Sequence, residues 1–177
     1  MPDVYGFLDD NGIEYERHDH PAVYTVAEAA EKAAIDGGVK TKNLFLRDAS
    51  GKRHFLVVVP ADRRVDLGAL RTRLGTSKLG FGSPDRLERC LGVEPGAVCL
   101  LAVINDTAGA VEVVMDGAVW EADAVQSHPL VNTSTLVIPR AGPGWLGSWK
   151  PPATTSGLST SRPRRIIHEP PLEAFFV

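Results

Sequence analysis

The sequence predicts a single α/β domain, and three observations lead to that class. With 177 residues, 44% of them hydrophobic, the chain has the size and apolar content of one domain. Short apolar runs bounded by turn residues, such as 43–48 and 54–60, predict strands. Segments with apolar residues at helical spacing lie between those runs, which predicts helices packed against a sheet.

The N-terminal part predicts a helix, an edge strand and a second helix. Apolar residues recur at helical spacing over 3–10, and the run ends at Asn11-Gly12, a usual helix terminator. Residues 13–17 alternate as an edge strand does. Thr25 is predicted to be the N-cap of an alanine-rich helix that continues to about residue 34.

Residues 38–48 are the most informative stretch of the chain. A glycine turn and two lysines precede the apolar strand 43–48, which turns back into the strand 54–60. Because such a strand is packed on both faces or nearly so, Lys42 is drawn towards a partly buried position where its charge needs a partner. A phosphate or carboxyl oxygen of a substrate is such a partner. Lys40 is interpreted as a lysine that faces solvent.

The middle of the chain predicts a helix, a short strand and another helix. Asp66 is predicted to cap a helix with three leucines on one face, and a strand follows at 79–82. Ser83-Pro84 has the order of a cap followed by a first-turn proline, so a helix is predicted from there to about Cys90.

A glycine-proline loop at residues 92–96 is the second candidate for binding a ligand. Two glycines that flank Val-Glu-Pro predict a tight loop whose backbone N–H groups turn towards a carboxylate, phosphate or oxyanion. An apolar strand is predicted over 97–104, then a hairpin loop at 105–109 and a strand over 111–115 that pairs back. The last strand is predicted over 136–138.

Composition and motifs exclude several classes of protein. The net charge is −3, so nothing marks the chain as a general nucleic-acid binder, and any nucleic acid has to be held by a local patch. The two cysteines and five histidines lack the spacing of a metal site, and no Ser-His-Asp set or nucleophile elbow is present, so neither a metal nor a cofactor is expected. Without a long apolar run or a signal peptide, the protein is expected in the cytoplasm.

Four motifs, in this order and spacing, give the chain a family resemblance. They are Lys40-Thr41-Lys42-Asn43-Leu44-Phe45-Leu46-Arg47-Asp48, Gly92-Val93-Glu94-Pro95-Gly96-Ala97-Val98, Ile104-Asn105-Asp106 and His128-Pro129-Leu130-Val131-Asn132. From about residue 4 to residue 138 the chain resembles the YbaK/ProX family, whose members are freestanding relatives of the editing domain inserted in bacterial prolyl-tRNA synthetases. The resemblance therefore predicts one domain at residues 1–138, followed by an atypical tail at 139–177.

The resemblance implies a fold, an activity and a site. The fold is a mixed, mostly antiparallel sheet of about six or seven strands curled as a partial barrel, with helices packed outside. The Lys-Asn-Leu-Phe-Leu motif resembles that of the family branch that hydrolyses alanine mischarged onto proline tRNA. The implied partners are aminoacyl-tRNA and, transiently, prolyl-tRNA synthetase. Lys42 is the implied catalytic residue. The implied substrate-binding residues are Tyr24, Asn43, Gly92, Val93, Pro95, Gly96, Asn105, His128, Asn132 and Thr133.

Alternatives stay open within this resemblance. The substrate could instead be cysteine, serine or threonine on another tRNA, or the chain could be a catalytically silent module that holds tRNA or the synthetase. One basic group is interpreted either as a solvated face or as a contact for tRNA phosphates. Its members are Lys52, Arg63, Arg64, Arg71, Arg73 and Lys78.

The composition changes abruptly at residue 139. The segment 139–177 holds seven of the 13 prolines and five basic residues against two acidic ones, without helical or strand periodicity. We hypothesise a frameshift, because the codons of 149–161, read from the third base, can encode a helix end, a glycine cap and an amphipathic strand. If the segment is genuine, its three arginines between 162 and 165 form a basic arm for tRNA.

Overall fold

The computed structural model describes residues 3–22, 35–139 and 166–169. In chain order the elements are α1 (Val4–Asp10), β1 (Glu16–Asp19), β2 (Val39–Asp48), β3 (His54–Pro60), α2 (Leu67–Arg73), β4 (Leu79–Phe81), α3 (Pro84–Leu91), a 3₁₀-helix (Leu100–Asn105), β5 (Val111–Asp116), α4 (Gly117–Trp120), β6 (Ala124–Ser127), β7 (Ser134–Pro139) and β8 (Ile166–Glu169). The helix predicted to begin at Thr25 lies outside the described residues.

The strands form one open, mixed sheet in the order β1-β7-β6-β2-β3-β5-β8, with β4 beside β2. The pairs β1-β7, β6-β7, β2-β3 and β2-β4 are antiparallel. The pairs β2-β6, β3-β5 and β5-β8 are parallel. The predicted single α/β domain with a mixed, mostly antiparallel sheet is confirmed, and within the described residues the sheet is not closed.

Each face of the sheet carries its own apolar core. Alternate side chains of β2, β3 and β5 pack on one face with α1, α3 and the 3₁₀-helix, and we call this the inner face because it holds the larger cluster, including Phe45, Leu56 and Met115. The opposite, outer face packs against α2 and includes Leu46 and Val57. Successive residues of β2 therefore serve different cores.

Helix starts follow the predicted capping chemistry. The Asp66 carboxylate accepts hydrogen bonds from the backbone N–H groups of Gly68 and Ala69, at 2.7 and 3.1 Å. Ser83 caps α3, with Pro84 in its first turn. Both predicted helices are thereby confirmed at their N-termini.

The strand predicted over 97–104 is wrong. Leu100–Asn105 forms a 3₁₀-helix, and its residues from Leu100 to Ile104 are all buried. A run that is apolar at every position has no period to separate a buried strand from a buried helix. The hairpin predicted around 105–109 is also wrong. A 3₁₀-helix precedes this loop instead of a strand, and β5 after it pairs in parallel with β3.

Beyond residue 139 the structure describes only β8, which pairs in parallel with β5 in the register Val113↔Ile166 to Asp116↔Glu169. The sequence analysis assigned no strand there. The frameshift hypothesis stays a prediction, and sequencing the gene around the codon for Ile138 tests it, because an uninterrupted frame contradicts it. None of the helices that the structure describes has the length and apolar character needed to cross a membrane.

The two glycines that flank Phe81 provide a matched test of packing. A Cβ atom at Gly82 would lie 2.4 Å from the Phe45 ring, whereas one at Gly80 would meet no atom within 4 Å. We therefore expect Gly82→Ala to destabilise the protein by about 1–3 kcal/mol, the usual cost of overpacking a core, and Gly80→Ala to change it little. Urea unfolding of both variants measures this, and equal midpoints would contradict the packing described.

Candidate active site

The site is built where β2 separates from β6. On one side β2 pairs with β3 continuously from Thr41 to Arg47. On its other side β2 pairs with β6 only at Val39 and Lys40, and with β4 only from Leu46 to Asp48. Between those contacts, on that side of β2, residues 41–45 pair with no strand in the described part of the chain. A gap therefore opens at the carboxyl end of the parallel pair β2-β6.

Lys42 and Asn43 lie in this gap. Strand alternation places Lys42 on the outer face with Leu44 and Leu46, and Asn43 on the inner face with Phe45. Lys42 is partly buried, as its sequence context predicted. The gap thus offers a cation on one side of the strand and an amide on the other.

The Asn43 amide oxygen is unusual. Oδ1 of Asn43 is buried and has no hydrogen-bond partner among the described residues. A buried acceptor without a donor is costly, so native proteins rarely leave one empty unless a ligand or water fills it. Next to it, the Thr41 hydroxyl donates to the Gln126 carbonyl oxygen at 2.9 Å and holds β2 against the end of β6.

His128 follows the last residue of β6, two residues beyond the last β2-β6 pair, Lys40↔Gln126. Nδ1 of His128 is buried without a partner in the described chain. Burial lowers the pKa of His128, and the nearby His20 lowers that pKa further. His128 is therefore held as a neutral imidazole at neutral pH.

His20 and Thr135 complete this side of the site, and the sequence analysis did not assign either of them. Nδ1 of His20 lies 2.9 Å from the Pro21 carbonyl oxygen, which only accepts, so Nδ1 carries the proton. In the neutral ring Nε2 then accepts from the Thr135 hydroxyl at 3.0 Å. The one sequence signal for His20 was its place before a proline.

The loop Gly92–Gly96 is shaped by its glycines. Gly92 is the C-cap of α3 with φ 61°, and its N–H donates to the Glu88 carbonyl at 2.8 Å. Asn105 supports this turn, because its Nδ2 donates to the Leu91 carbonyl at 2.7 Å. A Cβ at Gly92 would lie 3.1 Å from that same nitrogen. The Nδ2 atom of Asn105 therefore positions the loop, whereas its buried Oδ1 has no hydrogen-bond partner among the described residues, and its substrate-binding role stays a prediction.

The backbone of the loop leaves donors for a ligand. The Ala97 N–H donates to the Glu94 carbonyl at 3.0 Å and closes a turn around Gly96, which has φ 96°. The N–H groups of Val93, Glu94 and Gly96 make no hydrogen bond within the described residues. Glu94, Pro95 and Gly96 are exposed, whereas Val93 is buried and anchors the loop in the core.

Cys99 joins the loop to the His128 segment. Its thiol is fully buried, which raises its pKa, and contacts with the Leu130 N–H and the Ser127 hydroxyl oppose that rise. Leu130 has φ 64°, a strained conformation for a residue with a branched side chain. The segment after the glycine-proline loop therefore packs directly against the turn that carries His128.

The remaining predicted site residues are placed as follows. Asn132 is partly buried and Thr133 is exposed, and the Thr133 carbonyl accepts from the His20 N–H at 2.9 Å. Both lie in the turn before β7, on the His20 side of the site. Tyr24 lies outside the described residues. Among the described residues, no group of three or more His, Cys, Asp or Glu side chains is arranged to hold a metal ion.

The open α/β sheet carries a lysine and an unpaired amide oxygen on β2 where that strand separates from β6. The model of the aminoacyl-tRNA editing domain family matches residues 20–142. The chain belongs to this family, and the YbaK/ProX resemblance is confirmed.

Curated relatives agree with this assignment. Over 136 residues the chain is 42% identical to the prolyl-tRNA editing protein ProX of Acetoanaerobium sticklandii, covering 76% of this chain and 82% of that protein. It is 37% identical over 134 residues to prolyl-tRNA synthetase associated domain-containing protein 1 of Danio rerio, covering 75% and 72% of the two chains.

Solved structures show the same fold at low sequence identity. The crystal structure of the hypothetical protein APE2540 matches with a TM-score of 0.64 at 19% identity, over 77% of this chain and 87% of that one. A candidate trans-editing enzyme for prolyl tRNA synthetase matches with a TM-score of 0.56 at 18% identity, over 77% and 86%.

The lowered pKa of His128 makes a pH prediction. Because the folded state holds this pKa below the value of about 6.5 in the unfolded chain, His128 contributes stability that is present above that pH and lost as the pH falls through it. We expect His128→Gln to flatten the fall in unfolding free energy between neutral and mildly acidic pH. An NMR titration of the His128 ring that gave an ordinary or raised pKa would contradict this account.

Proposed function

We propose that this protein is a trans-editing deacylase that hydrolyses the ester of alanine mischarged onto proline tRNA. One observation carries the proposal. Lys42 and Asn43 lie on β2 just beyond its pairing with β6, and His128 directly follows β6; the Asn43 oxygen and the His128 nitrogen are buried without a partner among the described residues. A cation and two unfilled buried polar atoms suit a small charged substrate that brings its own anion and its own donors.

In this proposal Lys42 binds the terminal phosphate or the ester carbonyl of the aminoacyl-tRNA 3′ end. An aminoacyl ester is already activated, so its hydrolysis needs positioning and electrostatic stabilisation more than covalent catalysis. A lysine at the open edge of a strand meets this need, because its ammonium group supplies three donors without a fixed geometry.

The glycine-proline loop stabilises the charge that develops during attack. Its backbone N–H groups at Val93, Glu94 and Gly96 are the donors that the described residues leave open. A water molecule attacks the ester carbon, helped by the neighbouring ribose hydroxyl of the substrate. The tetrahedral oxyanion is then held by Lys42 and by the loop. It collapses to the free amino acid as the ester C–O bond breaks, and the leaving ribose oxygen takes the proton of the attacking water, relayed by the neighbouring ribose hydroxyl.

Asn43 and His128 orient the aminoacyl group. The Oδ1 atom of Asn43 accepts a hydrogen bond from the substrate ammonium group, which fills its empty acceptor position. The neutral His128 ring, fixed in the turn that Cys99 supports, contacts the substrate through the nitrogen that has no protein partner. Burial of both atoms makes these contacts strong once water has left the gap.

Two other functions are tested with the same reagents. Cysteine, serine or threonine esters on other tRNAs are alternative substrates, and a silent tRNA-binding module is an alternative class. Prolyl-tRNA synthetase remains a proposed transient partner. A silent module would bind tRNA at nanomolar concentration with a steep salt dependence, whereas an enzyme that turns over needs only transient contact.

The lysine pair in β2 supplies the decisive variants. We expect Lys42→Ala to lower the rate of alanyl-tRNA(Pro) hydrolysis by two to three powers of ten, the effect of about 3 kcal/mol of lost transition-state stabilisation. Lys40→Ala is the matched control, because Lys40 is paired within β2-β6 and lies before the gap. Single-turnover deacylation measures both, and near-normal turnover of Lys42→Ala would remove Lys42 from the mechanism.

Selectivity gives a further prediction. A pocket that admits a methyl group but not a rigid ring hydrolyses alanyl-tRNA(Pro) and spares prolyl-tRNA(Pro). Glycine should be accepted with a loss of rate, since an apolar pocket rejects a smaller group by only about 1–3 kcal/mol. Deacylation of the three esters on the same tRNA measures this. Faster loss of proline than of alanine would contradict the proposed substrate.

A further inference from the structure

Phe81 is the large apolar side chain that is most exposed in the described part of the chain. Its residue is 64% exposed, although it lies within strand β4 between Gly80 and Gly82. The Gly82 N–H donates to the Phe45 carbonyl at 2.9 Å, and a side chain at Gly82 would strike the Phe45 ring. The Gly82–Phe45 hydrogen bond and the strand pairing hold β4 against β2, and the Phe81 side chain extends into solvent.

Phe81 lies on the same face of the sheet as Lys42. It is the register partner of Leu46, and directly paired residues of an antiparallel pair point to the same face. Leu46 and Lys42 share the outer face of β2, four residues apart, which is about 13 Å along a strand. Phe81 therefore stands beside the open edge of β2, a few nucleotide lengths from the proposed catalytic lysine.

The surroundings of Phe81 are basic. Between residues 63 and 82 the chain carries five basic residues and one acidic residue, in a protein whose net charge is −3. Lys78, directly before β4, lines a groove of about 280 Å³ together with Leu79 and Gly80. The Arg71 guanidinium donates to the Ser77 carbonyl at 3.0 Å, which places a second cation at the start of β4.

An exposed aromatic ring with cations around it is the arrangement that binds single-stranded nucleic acid. Bases stack on the ring whatever their identity, and the cations hold the phosphates between them. An interface with another protein would instead be expected to surround the ring with further exposed apolar residues. Here the polar surroundings and the local positive charge favour RNA.

We propose that Phe81 is a stacking platform for a nucleotide that precedes the terminal adenosine of the aminoacyl-tRNA, with Lys78 binding the adjacent phosphate. The proposal rests on the deacylase function proposed above, and it identifies the part of the tRNA that the enzyme holds outside its reaction site. Because the single-stranded 3′ end is common to all tRNAs, this contact supplies affinity and leaves the choice of tRNA to other contacts.

Two substrates distinguish an effect on the stacking contact from an effect on ester hydrolysis. One is alanyl-tRNA(Pro), and the other is alanyl-adenosine, which has the reacting ester but lacks the preceding nucleotides. We expect Phe81→Ala to lower kcat/KM for alanyl-tRNA(Pro) about 5- to 150-fold, the range for one lost base-stacking contact. The same variant should hydrolyse alanyl-adenosine at the wild-type rate. An equal loss on both substrates, or a loss on neither, would overturn the proposal.

Charge variants test the adjacent phosphate. Lys78→Ala should weaken tRNA binding and reduce the slope of log affinity against log salt by about 0.7, the value for one phosphate contact on a single strand. Arg89→Ala is the matched control, since Arg89 is an exposed cation on α3, which packs on the inner face. Equal slopes for Lys78→Ala and the wild type would overturn the role of Lys78.

A binding measurement keeps the proposal testable even if the deacylase function fails. In Phe81→Trp the new indole should be quenched by uncharged tRNA and by the trinucleotide CCA, measured as the difference from the wild-type protein. No added quenching would overturn the proposal. If sedimentation instead shows a dimer that Phe81→Ala dissociates, the ring contacts a second copy of this chain, and the proposal is equally overturned.

Discussion

The edge of β2 between its pairing with β6 and its pairing with β4 is the constraint on which the rest of the site depends. A sheet satisfies the backbone groups of its strands by pairing them, so a strand edge without a neighbouring strand requires other partners. The fold creates this segment by pairing β2 first with β6 and then with β4, on the same side but at opposite ends. Lys42 and Asn43 lie between the two.

Everything else in the site is arranged around that gap. Thr41 holds the end of β6, Cys99 ties the glycine-proline loop to the turn at Leu130, and His20 with Thr135 supports the side where His128 lies. These contacts hold side chains and loops in position. The geometry suits a reaction in which the substrate is already activated and the protein supplies orientation and fixed charge.

The sequence predicted those parts of the fold and site that local chemistry determines. The β2-β3 pair, the caps at Asp66 and Ser83, and the partly buried Lys42 follow from turn residues, capping residues and apolar patterning. The segment 97–104 could not be assigned correctly, because a fully apolar run has no period. His20 and Thr135 were missed because their contact joins residues 115 positions apart, which no local pattern reveals.

The central claim is that the gap between β2 and β6 binds the aminoacyl end of the substrate. Its most direct test is an NMR titration with an amide-linked analogue of alanyl-adenosine, which cannot be hydrolysed. The account predicts that the Asn43 side-chain amide and the His128 ring show the largest shifts, while the Arg53–Glu112 ion pair, on the outer face of β3 and β5, is unchanged. Shifts that leave Asn43 and His128 unmoved would contradict it.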